Sequence, residues 1–462
     1  MKEQSFYGHS PEDLERLDKE LIWHPFTQMS DWLVEEPLIV ASGEGSYLTD
    51  VHGKRYLDGV SSLWVNVHGH RQPEIDRAIT EQLSNISHST FLGLSNVPAI
   101  ELARRLVEIA PRSLSRVFYS DNGSTAVEVA LKMAFQYWPQ SSAPSSQRTG
   151  FISFANAYHG DTVGSVSLGG IDLFHRTYKP LLFQTVRAPS AYCYRCYMGK
   201  EYPSCDMACL GDVEEAMEKN RDRIAAVVME PLVQGAAGMV VFPPGYTKRV
   251  WGLAKKYGML FIADEVATGF GRTGAMFACH LEAIEPDFMC VAKGITGGYL
   301  PLAATLASSK VFDGFLAEYK ERKTFFHGHT YTANPLACAA AIASLELFQK
   351  DDVLEKLQGK IAGLREGLKA FRKLRHVGDV RQLGFMVGIE LMKDPEKKKD
   401  YAYEDKTGIR VIKEARKRGL VIRPLDNVIV LMPPLSISQE ELDEALEITY
   451  ESIKVVTEEG RK

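Results

Sequence analysis

The 462-residue chain is 45% hydrophobic and 24% charged, with a formal net charge of −5, a size that allows two or three domains with large cores. Neither a basic nucleic-acid surface nor an acidic disordered tail is written in its charges, and no apolar stretch reaches the roughly 18 residues of a membrane span. The polar, acidic first twenty residues lack the apolar centre of a signal peptide, so the expected location is the cytoplasm.

From the N-terminus, the pattern predicts short strands at 37–41 and 47–50, with turns at Gly43-Glu44-Gly45 and Val51-His52-Gly53. From about Glu74, helical patterns alternate with short apolar runs at 116–120, 151–154, 224–229, 260–263 and 288–291. Strands separated by helices predict an α/β fold, a largely parallel sheet with helices on both faces. Such sheets bind ligands at the carboxyl ends of their strands. A long helical stretch is expected over 335–374, then strands at 386–391 and 428–432 and an amphipathic helix from about Gln439. Residues 71–334 are therefore expected to form a large ligand-binding domain. Residues 1–70 and 335–462 would share a smaller α+β domain built from both termini. The segment 141–150 reads as a surface loop and 393–405 as a solvated charged loop.

Three features meet at strand ends. One apolar run delivers Asp264 to the rim of the sheet; taken alone, it reads more readily as a helix cap or a loop ion pair. Another ends in Lys293, followed by Gly294, Gly297 and Gly298, and burying an ammonium is expensive unless it is paired or used. The third is Ser120-Asp121-Asn122-Gly123-Ser124-Thr125, where a strand turns through glycine into a helix and creates an anion site. Pyridoxal phosphate needs all three: a lysine for its aldehyde, a carboxylate for its ring nitrogen, and backbone N–H groups for its phosphate. Gly269-Phe270-Gly271-Arg272-Thr273-Gly274 matches the dinucleotide fingerprint G-x-G-x-x-G. It is set aside, because four residues separate it from the strand end and no helix opens on it; a tight, mobile loop near the cofactor is expected instead. Glu230, at a strand end before Pro231, is either an active-site carboxylate or a structural cap.

Four cysteines, Cys193, Cys196, Cys205 and Cys209, lie in a Tyr-rich insertion with spacing C-x2-C-x8-C-x3-C. They read as free thiols, as a zinc or, less readily, iron–sulfur site accessory to the enzyme, or as disulfides. The chemistry above requires no metal. Cys279, Cys290 and Cys338 sit singly in apolar segments as core residues.

The runs Asp264-Glu265-Val266-Ala267-Thr268-Gly269-Phe270-Gly271-Arg272-Thr273-Gly274 and Lys293-Gly294-Ile295-Thr296-Gly297-Gly298 resemble those of class III (ω-type) aminotransferases. The resemblance extends over nearly the whole chain, through Trp23-His24-Pro25-Phe26-Thr27, Trp64 with His68-Gly69-His70, Tyr158-His159-Gly160-Asp161-Thr162, His327-Gly328-His329-Thr330, Arg423-Pro424 and Met432-Pro433-Pro434. It narrows to the branch that aminates 8-amino-7-oxononanoate in biotin biosynthesis by a ping-pong cycle. It implies fold type I of the pyridoxal-phosphate enzymes, with a mostly parallel, seven-stranded type of sheet in the large domain.

By the same resemblance, Lys293 carries the cofactor and moves the proton, and Asp264 pairs with the ring nitrogen. Gly123 and Ser124 hold the phosphate, with His159 beside the cofactor, and Tyr158 stacks on the ring and lines the substrate pocket. His329 and Thr330 reach the phosphate of a neighbouring subunit, which implies a homodimer with shared active sites. Gly328 borders the substrate, and Arg423 binds its carboxylate through a planar two-bond fork; read without the resemblance, the less favoured alternative for Arg423 is a surface ion pair. Phe26, Leu63 and Trp64 belong to the pocket. Phe26 and Leu63 stand where the best-known members carry tyrosine and tryptophan. S-adenosylmethionine is the favoured amino donor, with lysine as the alternative. Outside this branch, the competing reading is another class III enzyme acting on a diamine or ω-amino acid.

Overall fold

The computed structural model describes residues 6–141 and 147–459. Its centre is a sheet of seven strands: β1 (Leu114–Ser120), β2 (Gly150–Phe154), β3 (Val186–Ala188), β4 (Ile224–Met229), β5 (Leu260–Asp264), β6 (Phe288–Val291) and β7 (Ala303–Ser308). They lie in the order β1-β7-β6-β5-β4-β2-β3. The β6–β5, β5–β4, β4–β2 and β2–β3 pairs are parallel, whereas β7 runs antiparallel to both of its neighbours. All five predicted apolar runs are strands.

The two strands not expected explain themselves. β3 has three residues, too few for a period to show. β7 reads Ala-Ala-Thr-Leu-Ala-Ser, an alanine-rich run whose intrinsic preference is helical. Tertiary pairing overrides that preference.

β4 to β7 are buried along their whole length, as expected of strands covered on both faces. Alternate side chains point to opposite faces. Thus Leu260 and Ile262 join Ala126, Val127 and Ala130 of helix α1 (Gly123–Gln140) on one side. Phe261 and Ala263 join Val213, Met217, Tyr246 and Val250 on the other. The rim at the carboxyl ends is left for the loops, and there the site forms.

A second sheet pairs Val40–Glu44, Tyr47–Asp50 and Arg55–Asp58 antiparallel and adds Leu420–Val421 in parallel to the last. Its first strand starts at Val40, not at 37, and Gly43 and Glu44 are in the strand and not in a turn. Because Glu44 pairs with Tyr47, the turn is the two residues Gly45-Ser46, and Gly45 takes the positive φ of 56° that such a tight hairpin demands. A third, antiparallel sheet contains Val377–Leu383, Met386–Leu391, Val428–Leu431 and Arg423–Leu425. Only the first of these went unpredicted among the longer ones.

The long helix expected over 335–374 is broken into Pro335–Lys350 and Val353–Leu368, followed by a 3-10 turn at Lys369–Lys373. The break falls at Asp351-Asp352, two carboxylates at the negative end of a helix dipole, with Asp352 in the left-handed region at φ 48°. The final helix spans Gln439–Lys454. Of the loop expected over 141–150, residues 142–146 lie outside the described residues, and Gly150 already belongs to β2. The charged segment 393–405 is mostly exposed, although Tyr401 is buried within it. Among the described residues, no helix is long and apolar enough to cross a membrane.

Candidate active site

A cavity of about 730 Å³ opens at the carboxyl ends of the central strands. β5 ends at Asp264, β6 runs through Ala292 into Lys293, β4 runs into Glu230, and β1 leads through Asp121 and Asn122 into α1; all these residues line the cavity. Because Asp264 pairs with Cys290 in register, topology alone brings the carboxylate and the lysine to one rim.

Asp264 is buried and accepts a hydrogen bond from His159 Nδ1–H at 2.6 Å and another from the Val266 amide at 3.1 Å. The tautomer follows from the ionised acceptor. It leaves His159 Nε2 buried without a partner. Lys293 forms no ion pair among the described residues; its ammonium sits 5.1 Å over the Trp64 ring. Burial pulls the Lys293 pKa down, with Asp264 and Glu230 pulling the other way. A buried amine held in this balance supplies the neutral, nucleophilic form that an exposed lysine lacks.

Trp64 reaches the cavity from an unusual backbone. Ser61, Ser62, Leu63 and Trp64 all have positive φ, at 51°, 51°, 90° and 69°, a left-handed turn that costs about 1–2 kcal/mol per residue. Side-chain bonds hold it. Ser62 donates through its amide and its hydroxyl to Asp58, at 2.9 and 2.7 Å, and Ser61 Oγ donates to the Met432 carbonyl at 2.6 Å. The turn buries Trp64 and leaves Leu63 exposed.

At the start of α1, Asn122 and Thr125 form a reciprocal capping box. Gly123 permits the close approach, since a Cβ there would lie 2.5 Å from Val266 Cγ1. The Ser124 hydroxyl pairs with Thr162 Oγ1 at 2.7 Å and accepts the Thr162 amide at 3.0 Å. The Tyr158 hydroxyl donates to Asp161 at 2.6 Å, and burial with this contact holds the phenol well above its ordinary range. A helix start at which Asn122 caps the Thr125 amide and not those of Gly123 and Ser124, an amine without a counter-ion, a buried carboxylate and two unpartnered ring nitrogens (His159 Nε2, Trp64 Nε1) fit a flat anionic ring that bears an electrophilic carbon and a basic nitrogen.

Residues 29–453 match the family described as Aminotransferase class-III. The chain belongs to that family. This aminotransferase is 55% identical to the adenosylmethionine-8-amino-7-oxononanoate aminotransferase of Geobacter sulfurreducens, across 95% of this chain and 97% of that one. It is 53% identical to the enzyme of the same name from Aquifex aeolicus, across 97% and 99%. Among solved structures, it matches adenosylmethionine-8-amino-7-oxononanoate aminotransferase from Methanocaldococcus jannaschii with a TM-score of 0.91 at 47% identity, covering 96% of this chain and 98% of that chain. An (S)-enantioselective omega-transaminase from Thermomicrobium roseum matches with a TM-score of 0.92 at 33% identity, covering 98% and 99%. The fold is thus the fold type I that the motifs imply.

The aminotransferase brings Trp64, Gly123, Ser124, Tyr158, His159, Asp264 and Lys293 together around the cavity. Other expected site residues do not line it. Leu63 and Phe26 are exposed, as are Gly328 and Thr330, and His329 is half-buried against Asp121 at 2.7 Å. Arg423 lies 5.9 Å from the Phe26 ring, which contacts Phe174 edge-on at 5.5 Å; Phe174 in turn meets Tyr158 at 6.3 Å. An aromatic wall therefore links Arg423 to the cavity. Phe174 and Asp161 were missed in the sequence, Phe174 because a lone aromatic in a short helix carries no pattern.

The Gly269–Gly274 loop departs from expectation. It is tight but packed inside the protein. Arg272 is fully buried and donates to the carbonyls of Pro433 at 2.7 Å and Asn66 at 2.8 Å, and burial pulls its guanidinium down to about 9. So anchored, the loop is not free to move. Cys193, Cys196, Cys205 and Cys209 do gather, around one cavity of about 20 Å³, and all are free thiols. Burial, with the other three thiols adding to it, pushes Cys193 up to about 11. No disulfide joins them, and among the described residues no three His, Cys, Asp or Glu side chains are arranged to hold a metal.

Proposed function

We propose that this aminotransferase converts 8-amino-7-oxononanoate to 7,8-diaminononanoate in biotin biosynthesis, with S-adenosylmethionine as amino donor. The observation that carries the chemistry is the buried, unpaired Lys293 amine beside the Asp264–His159 pair; relatives of over half identity along nearly the full length support the substrates. Pyridoxal phosphate fits the cavity: Gly123 and Ser124 would hold its phosphate, Tyr158 and His159 its faces, Asp264 its ring nitrogen and Lys293 its aldehyde carbon. Bound there, it supplies an electron sink for the carbon that bears the amino group.

The protein's own groups do the rest. The Asp264 carboxylate keeps a proton on the ring nitrogen, and His159 Nδ1–H holds that carboxylate in place. The Lys293 amine takes a proton from one carbon and returns it to another. Trp64 and Tyr158 exclude water, and Arg423 takes the substrate carboxylate in a two-bond fork.

Single-turnover half-reactions test this reading. S-adenosylmethionine alone should convert the cofactor with a higher kcat/KM than lysine alone, and the keto acid should restore it. Arg423→Ala should weaken the keto-acid half by about 1.5–3 kcal/mol, the worth of hydrogen bonds to a charged group. Preference for lysine would overturn the donor; equal losses in both halves would remove Arg423 from its acceptor role.

We read the active enzyme as a homodimer. Gly328, His329 and Thr330 stand outside their own cavity, next to exposed Phe326 and to exposed Leu92, whose Cδ2 would lie 3.4 Å from a Cβ on Gly328, apolar exposure of the kind that marks an interface. Thr330→Ala is expected to loosen cofactor and dimer together in sedimentation and cofactor titration. Cofactor affinity unaffected by dissociation to monomers would refute the shared site. The division into 1–70 with 335–462 and 71–334 is supported by the sheet that joins Arg55–Asp58 to Leu420–Val421. A cytoplasmic setting suits seven free cysteines, four of them best read as thiols that the reaction does not use.

A further inference from the structure

Glu230 lies just past the end of β4, buried in the wall of the cavity, and forms no ion pair among the described residues. Both of its oxygens are taken by backbone. Oε1 accepts the Tyr158 amide at 3.2 Å, and Oε2 accepts the Gly235 amide at 2.9 Å. Those amides belong to different walls. Tyr158 sits in the segment that follows β2, and Gly235 opens the turn that carries Ala236, which lines both the cavity and a neighbouring groove of about 550 Å³.

A buried carboxylate with no cation to compensate it is costly, and a neutral amide or hydroxyl could tie down a loop at lower cost. What a carboxylate adds is a proton that can come and go. Ionised, it accepts both amides; protonated, its hydroxyl oxygen becomes a donor and a poor acceptor, so one of the two bonds must loosen. The charged and titratable groups that act on it are His159, Asp264 and the Lys293 ammonium, with Tyr158 bonded to it through its amide.

Resting on the reading of this cavity as an aminotransferase site, we infer that Glu230 is a positioning residue whose ionisation fixes the Tyr158 segment against the Ala236 turn and couples the shape of the cavity to the charge on Lys293. Burial pushes the Glu230 carboxyl up to about 7, which places the change within the pH range where such an enzyme works. The link to Lys293 is reciprocal: an ionised Glu230 favours the ammonium, and a protonated one favours the free amine.

The sign of the stability effect is fixed. The folded pKa lies above the unfolded value of 4.5, so the folded state binds the proton more tightly. The contribution of Glu230 to stability therefore falls as pH rises from about 4.5 to about 7 and changes no further beyond. Glu230→Gln has no such group. The Tm difference between wild type and Glu230→Gln, measured across pH 4–9, should shift against wild type through that window and stay flat outside it. In the holoenzyme, the pH dependence of the visible cofactor absorption should show an inflection near 7 in wild type that Glu230→Gln lacks and Glu230→Asp restores. Parallel Tm curves together with identical absorption profiles would overturn the role. Absence of a visible band in every variant would count against the cofactor reading instead, while the Tm comparison, which needs no cofactor, would still decide the titration of Glu230.

Discussion

Lys293→Ala is expected to abolish covalent fixation of the cofactor by borohydride and to lower turnover by at least about 10²–10⁴-fold, the contribution of a positioned proton-transfer group. Among the residues that line the cavity, Lys293 is the lysine; no second amine is in place to take over the aldehyde carbon. The substitution is a clean one for the fold. Lys293 has a φ of 47°, a strain that alanine shares, and removing a desolvated ammonium takes away a burial cost. The variant should therefore fold and still bind the cofactor without the covalent link, through the α1 terminus and Asp264. Borohydride fixation that survives in the variant would show that another lysine carries the cofactor.

Asp264→Asn should leave the cofactor bound but reduce kcat by about 10²–10³-fold, the scale for losing one preorganised charge at a reacting centre. Asparagine keeps one acceptor oxygen, whereas the His159 N–H and the Val266 amide use different oxygens of the carboxylate, so one of these bonds is lost together with the negative charge. Two effects then act together. The ring nitrogen loses the partner that holds its proton, and Lys293 loses the neighbour that most opposes its downward shift, so its ammonium should titrate at still lower pH. The measurement is single-turnover kinetics with absorption followed across pH. A kcat within about threefold of wild type would take Asp264 out of the mechanism.

Both residues could be read from the sequence because each ends a short, uniformly apolar strand, and a polar residue at such a point stands out. The same logic located Ser120–Ser124, where the chain turns from strand to helix. What the sequence concealed was conformation. Nothing in Ser61-Ser62-Leu63-Trp64 announces four successive residues with positive φ, so Leu63 was placed with Trp64 in the pocket when the turn sends the two in different directions. The glycine-rich Gly269–Gly274 loop looked mobile because glycine is permissive, whereas Arg272 anchors it to two carbonyls distant in sequence. β7 was hidden by its alanines, and the break at Asp351-Asp352 by the strong helical patterns on either side. At Trp64, at Arg272 and at β7, partners more than a hundred residues away decide the local structure.

The turn that carries Trp64 has a further consequence for how the protein is made. Beside the local bonds to Asp58, its supports come from far along the chain: Ser61 Oγ bonds the Met432 carbonyl, the Met432 amide bonds the Gly59 carbonyl, and the Gly59 amide bonds the Val421 carbonyl. At ordinary elongation speeds, residue 432 leaves the ribosome roughly 20–75 s after residue 61. Through that interval the tryptophan lacks Val430 and Met432, which complete its apolar cluster. The nascent chain carries this apolar segment only partly covered until then, a natural client for chaperones, and the wall of the pocket is complete only once residue 432 has been made.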